Sequence, residues 1–339
     1  MTLGKEHVMR LENVVGGYVA GPRGEVFVEA VSSVNLDIYE GEILGIAGES
    51  GCGKSTLVKI MYGYIVRPLV LKSGRILVRD GGKIRDLISM RLEERKKLWW
   101  RVISYMPQNS MNIFNPVKRV KDHFIEVLKH HANMSDREAV SMASSYMDET
   151  GLSKDVVNAY PHQLSGGMRQ RVAIALSLAL KPRIVLVDEP TTGLDVVVQR
   201  GVLQTLVERV RNYRSTLVIV SHDMGVHSMI TDRIAIMYAG KIVEIGRTDE
   251  IIEKPLHPYT MALLKSLPRI GDKSPRKGLP GMPPDLRSPP PGCRFHPRCP
   301  FTIEICRKEE PPLIPVENGR SVACWLYQAG VGGDDRRRE

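Results

Sequence analysis

Apolar and polar residues alternate along the first part of the chain. Val8-Met9-Arg10-Leu11-Glu12-Asn13-Val14-Val15 and Val34-Asn35-Leu36-Asp37-Ile38 both follow this pattern. It predicts half-exposed strands of an antiparallel sheet. A different pattern starts at Glu42-Ile43-Leu44-Gly45-Ile46-Ala47, a short unbroken apolar run. Ile184-Val185-Leu186-Val187 and Thr216-Leu217-Val218-Ile219-Val220 repeat it. Such runs suit parallel strands buried on both faces. Arg75-Ile76-Leu77-Val78-Arg79 and Arg101-Val102-Ile103-Ser104-Tyr105-Met106 are further strand-like pieces. Residues 117–160 are polar and helical in spacing, as in Val120-Lys121-Asp122-His123-Phe124-Ile125-Glu126-Val127-Leu128. They predict an inserted helical subdomain. Beyond about residue 268 the chain is proline-rich, which predicts loops.

Between the first apolar run and a helix-forming stretch lies Gly48-Glu49-Ser50-Gly51-Cys52-Gly53-Lys54-Ser55-Thr56. It has the form G-x-x-x-x-G-K-[ST]. Strand, glycine loop and helix start form a phosphate cradle: glycines admit close backbone N–H approach, and the helix end adds a positive dipole. Lys54 would reach the β- and γ-phosphates, and Ser55 would hold Mg²⁺. A second such element is Gln163-Leu164-Ser165-Gly166-Gly167-Met168-Arg169-Gln170. Ser165 is a good N-cap for the helix-forming run Arg171–Leu180, so Ser165, Gly166 and Gly167 mark another anion-binding helix start. Two such sites in one chain require two ligands or a head-to-tail dimer.

The apolar run Ile184–Val187 ends in Asp188-Glu189. The C-terminal end of a buried parallel strand faces the ligand crevice. Asp188 would hold Mg²⁺ there, and Glu189 would polarise an attacking water. Gln108 follows another strand and offers a neutral amide to Mg²⁺ or to a water. His222, after Val220, is placed to contact a γ-phosphate, against the more ordinary structural role of a lone histidine. Tyr18 is a candidate for stacking on a base, with a core position as the competing reading.

At 339 residues the chain predicts one large domain plus a smaller one. Apolar residues are 42% and charged residues 25%, the balance of a soluble globular protein. No apolar run is long enough to span a membrane, and Met1–His7 lacks the apolar core of a secretion signal. These features predict a cytosolic chain. The net charge of +10 is spread out, apart from Arg336-Arg337-Arg338, and selects no partner by itself. Cys293, Cys299, Cys306 and Cys324 lie in the proline-rich tail, spaced C-x₅-C-x₆-C-x₁₇-C. That spacing lacks the C-x₂-C pairs of a zinc ribbon. Four thiols in a tail poor in apolar residues still argue for a bound metal, with Zn²⁺, an iron–sulfur cluster and free thiols all open. Cys52 is a small filler in the phosphate loop.

In order along the chain, Gly48–Thr56, Gln108, Leu164–Gly167, Asp188–Glu189, Gly193-Leu194-Asp195 and His222 resemble the Walker A, Q-loop, signature, Walker B, D-loop and H-loop motifs of ABC transporter ATP-binding subunits. The resemblance covers roughly residues 8–250. It implies an α/β P-loop NTPase over residues 1–250, with a RecA-like core, an antiparallel β-subdomain and a helical subdomain inserted at about 108–168. Residues 251–339 would form a Pro/Cys-rich C-terminal extension. Tyr18 falls where the family places its adenine-stacking aromatic. Gly193, Leu194 and Asp195 would contact a second subunit, and each ATP would lie between Lys54 of one subunit and Ser165 of the other.

Asn112-Ile113-Phe114-Asn115-Pro116, Pro255-Leu256-His257-Pro258-Tyr259-Thr260 and the tail Pro289–Pro300 resemble the dipeptide/oligopeptide importer branch. That branch implies a second ATPase subunit, two transmembrane permeases, an extracytoplasmic solute-binding protein and a place at the cytoplasmic face of the cell membrane. Its solutes include peptides, oligosaccharides and nickel. Some members carry a [4Fe–4S] cluster on a tail of this kind, which makes a cluster the expectation for the four cysteines, with Zn²⁺ as the alternative. No nucleic acid is expected as a partner. The competing class is a soluble ABC ATPase acting on nucleic acid, which the charge and the cysteine tail would suit.

Overall fold

The computed structural model describes residues 6–21, 26–266 and 281–328. Arg336-Arg337-Arg338, Met1–Lys5 and the start of the proline-rich stretch lie outside the described residues. Strand β1 (His7–Ala20) pairs antiparallel with β2 (Val26–Tyr39), so the alternating runs form one sheet. β3 (Ile43–Ala47) is buried along its whole length and leads through the glycine loop into α1 (Lys54–Tyr62). β4 (Leu69–Asp80) pairs with β1 and turns back as β5 (Lys83–Asp86), completing a four-stranded sheet ordered β2-β1-β4-β5. A short helix α2 (Leu92–Lys96) precedes β6 (Ile103–Met106).

The chain then leaves the sheets. α3 (Val120–Ala132) and α4 (Asp136–Glu149) form the helical insertion. Val120, Phe124 and Leu128 are its buried positions on α3, one per turn as the sequence spacing requires. Ser135 caps α4 in a full capping box with Glu138. α5 (Gly166–Ser177) returns to the body of the protein. There follow β7 (Ile184–Asp188), α6 (Val196–Asn212), β8 (Thr216–Val220), α7 (Met224–Ile230), β9 (Arg233–Tyr238) and β10 (Lys241–Arg247). α8 (Thr248–Glu253), α9 (Pro258–Lys265), α10 (Glu304–Lys308), β11 (Ile314–Pro315) and β12 (Ser321–Val322) close the described chain.

The second sheet has the order β11-β12-β10-β9-β3-β8-β7-β6. β9, β3, β8, β7 and β6 run parallel, and every position of β3, β7 and β8 is buried. Alternate residues face opposite layers. Ile184 and Leu186 pack with α1 and the first sheet, while Val185 and Val187 pack with α5, α6 and the insertion. A strand covered on both faces has no polar side, which is why these runs are unbroken in the sequence.

The tail is built into this sheet. β12 pairs with β10 through Glu244↔Val322 and Ile245↔Ser321. Glu244 is fully buried and accepts from Leu256 N at 2.9 Å, His257 N at 3.0 Å and Arg320 Nη2 at 2.7 Å. One carboxylate thus joins β10, the turn before α9 and the end of the tail. Tyr238, Tyr259 and Phe295 form a third core beside β9, with ring centroids 4.5–5.5 Å apart. No described helix is long and apolar enough to cross a membrane.

The glycine loop is wedged between β2 and β9. Gly53 has φ +107°, and a Cβ there would stand 2.0 Å from Ala30 O. Gly48 has φ +152°, and its Cβ would meet Met237 O at 2.1 Å. Backbone cannot yield as a side-chain tip can, so both positions require glycine. Gly53→Ala is expected to cost at least about 1–3 kcal/mol, seen as a lowered denaturant midpoint. Phe295→Ala should cost about 3–5 kcal/mol by the same measurement, because it empties the third core; an unchanged midpoint would show that the tail does not brace the sheet.

Candidate active site

The loop after β3 bends back over Lys54. Its ammonium is buried and donates to Gly48 O at 2.7 Å and to Glu49 O at 2.9 Å. Its charge is therefore held among loop carbonyls, beside the N-terminus of α1. Cys52 is buried, with Sγ 3.8 Å from Lys54 Nζ, and fills the space below the loop. Ser50 and Gly51 form the loop's outer edge, with Gly51 at φ +79°.

Ser55, on the first turn of α1, donates from Oγ to Asp188 Oδ1 at 3.0 Å. Asp188 ends β7 and is almost fully buried. Its Oδ2 is buried and accepts no hydrogen bond, though the Tyr105 hydroxyl stands near enough to feel its charge. Burial pushes the Asp188 carboxyl up, opposed by the Ser55 hydrogen bond and reinforced by the Glu189 charge. A buried carboxylate with a free oxygen beside a serine hydroxyl fits a divalent cation, which would supply the missing positive charge.

Glu189 lies one residue further on, at φ +47°, a backbone region that a bulky residue seldom occupies. Gln108 Nε2 donates to its Oε2 at 3.0 Å, Thr192 Oγ1 donates to the same oxygen at 3.0 Å, and His222 Nδ1 stands 3.1 Å from Oε1. Burial works to raise this carboxyl, but hydrogen bonds from His222 and Thr192 outweigh it and hold the group below the usual carboxylate value. Three side chains from three loops converge on one carboxylate, which stays ionised at neutral pH.

Ser165 caps α5, accepting from Met168 N at 3.3 Å. Gly166 and Gly167 pack against the segment that follows β7. A Cβ on Gly166 would stand 3.3 Å from Leu194, and one on Gly167 would stand 2.5 Å from Val198. Asp195 caps α6, accepting from Val197 N and Val198 N at 3.1 and 3.0 Å. Gly193, at φ +79°, makes the turn before it. Val196 and Val197, between the Leu194 and Val198 that meet the two glycines, are exposed at 79% and 83%. Ser110 Oγ donates to Gln170 Oε1 at 3.1 Å, both buried, and joins the segment after Gln108 to α5. The motif spacing alone did not disclose that link.

Tyr18 sits in β1, half-buried against the first core. Its hydroxyl accepts from Thr56 Oγ1 at 3.2 Å, which places it beside the phosphate loop. Glu49, in the same loop, has its polar groups engaged within the chain. Its N–H donates to Tyr259 Oη at 2.8 Å and its carboxylate takes two hydrogen bonds from Arg298. Both groups face the tail, because α9 and the turn before Cys299 pack on the outer side of the loop.

Cys293, Cys299, Cys306 and Cys324 are unpaired by disulfides and line one small cavity with His296 and Trp325. Burial pushes the Cys293 thiol up to about 11 and the Cys324 thiol up to about 12. Among the described residues, no three His, Cys, Asp or Glu side chains stand close enough to hold a single metal ion. Neither the cluster nor the zinc expected at these cysteines gains support from that spacing.

Residues 31–192 match the family described as ABC transporter, and residues 243–306 match the family described as Oligopeptide/dipeptide transporter, C-terminal region. The chain is 39% identical over 326 residues to the dipeptide transport ATP-binding protein DppD of Caldanaerobacter subterraneus subsp. tengcongensis, covering 95% of this chain and 98% of that one. It is 37% identical to the oligopeptide transport ATP-binding protein OppD of Salmonella typhimurium, covering 90% of each chain. Among solved structures, the dimeric ATP-binding cassette MJ0796 bound to ADP and Pi superposes with a TM-score of 0.61 at 29% identity, over 71% of this chain and 98% of that one. The fold is thus that of a P-loop ATPase cassette, and the chain belongs to the family of ATP-binding subunits of dipeptide and oligopeptide ABC transporters.

Proposed function

We propose that this chain hydrolyses Mg·ATP in a site completed by a second ATPase subunit, and so drives import of a peptide or related solute. The observation that carries this is the Glu189 carboxylate, oriented by Gln108, Thr192 and His222 beside the Ser55–Asp188 pair. Lys54 and the loop N–H groups would bind the phosphates, and Tyr18 would stack on the base. Ser55 and Asp188, with Gln108, would hold Mg²⁺, whose charge offsets that of the phosphates. Glu189 takes a proton from water as its oxygen attacks the γ-phosphorus and the bond to the β–γ bridging oxygen breaks. His222 and Gln108 position both carboxylate and water.

The exposed Val196–Val197 pair, in the segment that packs on Gly166 and Gly167 through Leu194 and Val198, supports burial of this face by another subunit. Ser165-Gly166-Gly167 would then complete the partner's site, with Gly193, Leu194 and Asp195 at the contact. The ABC transporter cassette MJ0796 is dimeric. Homodimer and heterodimer both fit. Two permeases and an extracytoplasmic binding protein would complete the transporter, with this chain peripheral at the cytoplasmic face. Oligosaccharide or nickel import are variants of the same reading. A soluble ATPase acting on nucleic acid is less favoured, because the matches to transport proteins run through the tail.

The tail's four thiols support a [4Fe–4S] cluster as a structural group. All four line one small cavity with His296 and Trp325, and thiolates are the ligands such clusters use. Anaerobically purified chain is expected to absorb near 400 nm and to carry about four irons. A colourless, iron-free and folded sample would remove the cluster from the account.

Glu189→Gln should retain ATP binding while kcat falls about 10²–10⁴-fold, the usual contribution of a general base. Near-normal steady-state ATPase would refute the assignment. Asp188→Asn is expected to raise the Mg²⁺ concentration needed for half-maximal activity, which a titration of rate against Mg²⁺ reads directly.

A further inference from the structure

The phosphate loop is gripped from its outer side. Glu49, its second residue, is held at all three of its polar groups. Lys54 Nζ donates to its carbonyl at 2.9 Å. Tyr259 Oη accepts from its N–H at 2.8 Å. Arg298 Nη1 and Nη2 donate to its two carboxylate oxygens at 2.7 and 3.0 Å. The first of these groups is the lysine of the loop itself. The other two come from beyond residue 250 and have no place in the hydrolysis chemistry.

The ion pair is built into the structure. The Arg298 side chain is 5% exposed and that of Glu49 is 20% exposed. Arg298 Nη1 also donates to Tyr238 Oη at 3.3 Å, and its guanidinium lies 5.9 Å from the Phe295 ring centroid. The paired fork-to-carboxylate geometry fixes direction as well as distance. Arg298 closes a single turn of helix, donating its N–H to Phe295 O at 3.0 Å, immediately before Cys299. The tail therefore reaches the loop through two side chains anchored in the Tyr238–Tyr259–Phe295 core.

From this geometry we infer that Arg298 and Tyr259 are positioning residues of the phosphate loop, setting nucleotide affinity by holding Glu49 and, through its carbonyl, Lys54. The inference rests on the nucleotide site proposed above. It makes the tail part of the ATPase rather than an appendage to it. Loss of Arg298 leaves a shielded carboxylate without its counter-charge next to the loop. The loop then shifts to reach water, and Lys54 loses its place. Binding suffers, whereas the Glu189 network is untouched, so the effect falls on KM and Kd rather than on kcat.

The test is equilibrium titration of the full chain with a fluorescent ATP analogue and Mg²⁺, together with steady-state ATPase kinetics. Arg298→Ala is expected to weaken binding about tenfold, ~1.4 kcal/mol, and to raise KM alike, with kcat within about twofold. Arg298→Lys should recover part of the loss, because it restores charge without the fork. Tyr259→Phe, which keeps the ring and removes the acceptor, should weaken binding by a smaller factor. Arg298→Ala combined with Glu49→Gln should bind better than the product of the two single effects predicts, since the stranded charge is gone. Unchanged affinity in Arg298→Ala and Tyr259→Phe would overturn the inference. So would a fall in kcat at constant KM, which is what partial unfolding alone produces. An unaltered chain that binds no nucleotide would instead overturn the nucleotide site, and the inference with it.

Discussion

Two backbone contacts govern this molecule. Gly48 and Gly53 bring the phosphate loop so close to Met237 O and Ala30 O that no side chain fits between. The loop can hold that position only if β9 and β2 are fixed beneath it. β9 is fixed by the parallel sheet on one side and β10 on the other. β2 is fixed by its pairing with β1. The two sheets meet over α1, whose Leu57, Val58, Ile60 and Met61 fill the space between them. The packing of the whole upper layer is thereby expressed in the shape of one loop.

The acidic pair at the end of β7 uses a different device. Asp188 and Glu189 end one strand, yet their environments differ. Asp188 is buried with a free oxygen, which favours a cation, while Glu189 is pulled to ionisation by its hydrogen-bond donors. Two adjacent carboxylates with separate surroundings suit the separate roles proposed for them, metal ligand and base. The donors to Glu189 arrive from after β6, after β7 and after β8, the C-terminal ends of three neighbouring strands. Any shift between these strands is felt at one carboxylate. The Ser110–Gln170 bond ties the same segment to α5, the helix that leads back from the insertion.

Much of this was legible in the sequence because it is local. The glycine loop, the unbroken strands and the Ser165 cap are each specified by a few consecutive residues, and the structure places strands and helices where those patterns fall. The tail was illegible for the opposite reason. β12 has two residues, too few for a period, and its pairing with β10 spans about eighty positions. Glu244 carries a charge yet is fully buried, its carboxylate met by Arg320 from 76 positions on, a pairing with no local signature. The Arg298–Glu49 pair joins residues 249 apart and has no local signature. The four cysteines were visible by count. The His296 and Trp325 side chains that line their small cavity were not.

The central claim is that this chain is the ATPase of a membrane importer, working with a second ATPase subunit. Its most direct test is recovery of the Glu189→Gln chain from native membranes, solubilised with detergent in the presence of ATP and Mg²⁺, followed by identification of what accompanies it by mass spectrometry. The account predicts two polytopic permeases together with either a second ATPase subunit or a second copy of this chain. Recovery in a soluble assembly with nucleic acid, and without any permease, would contradict it.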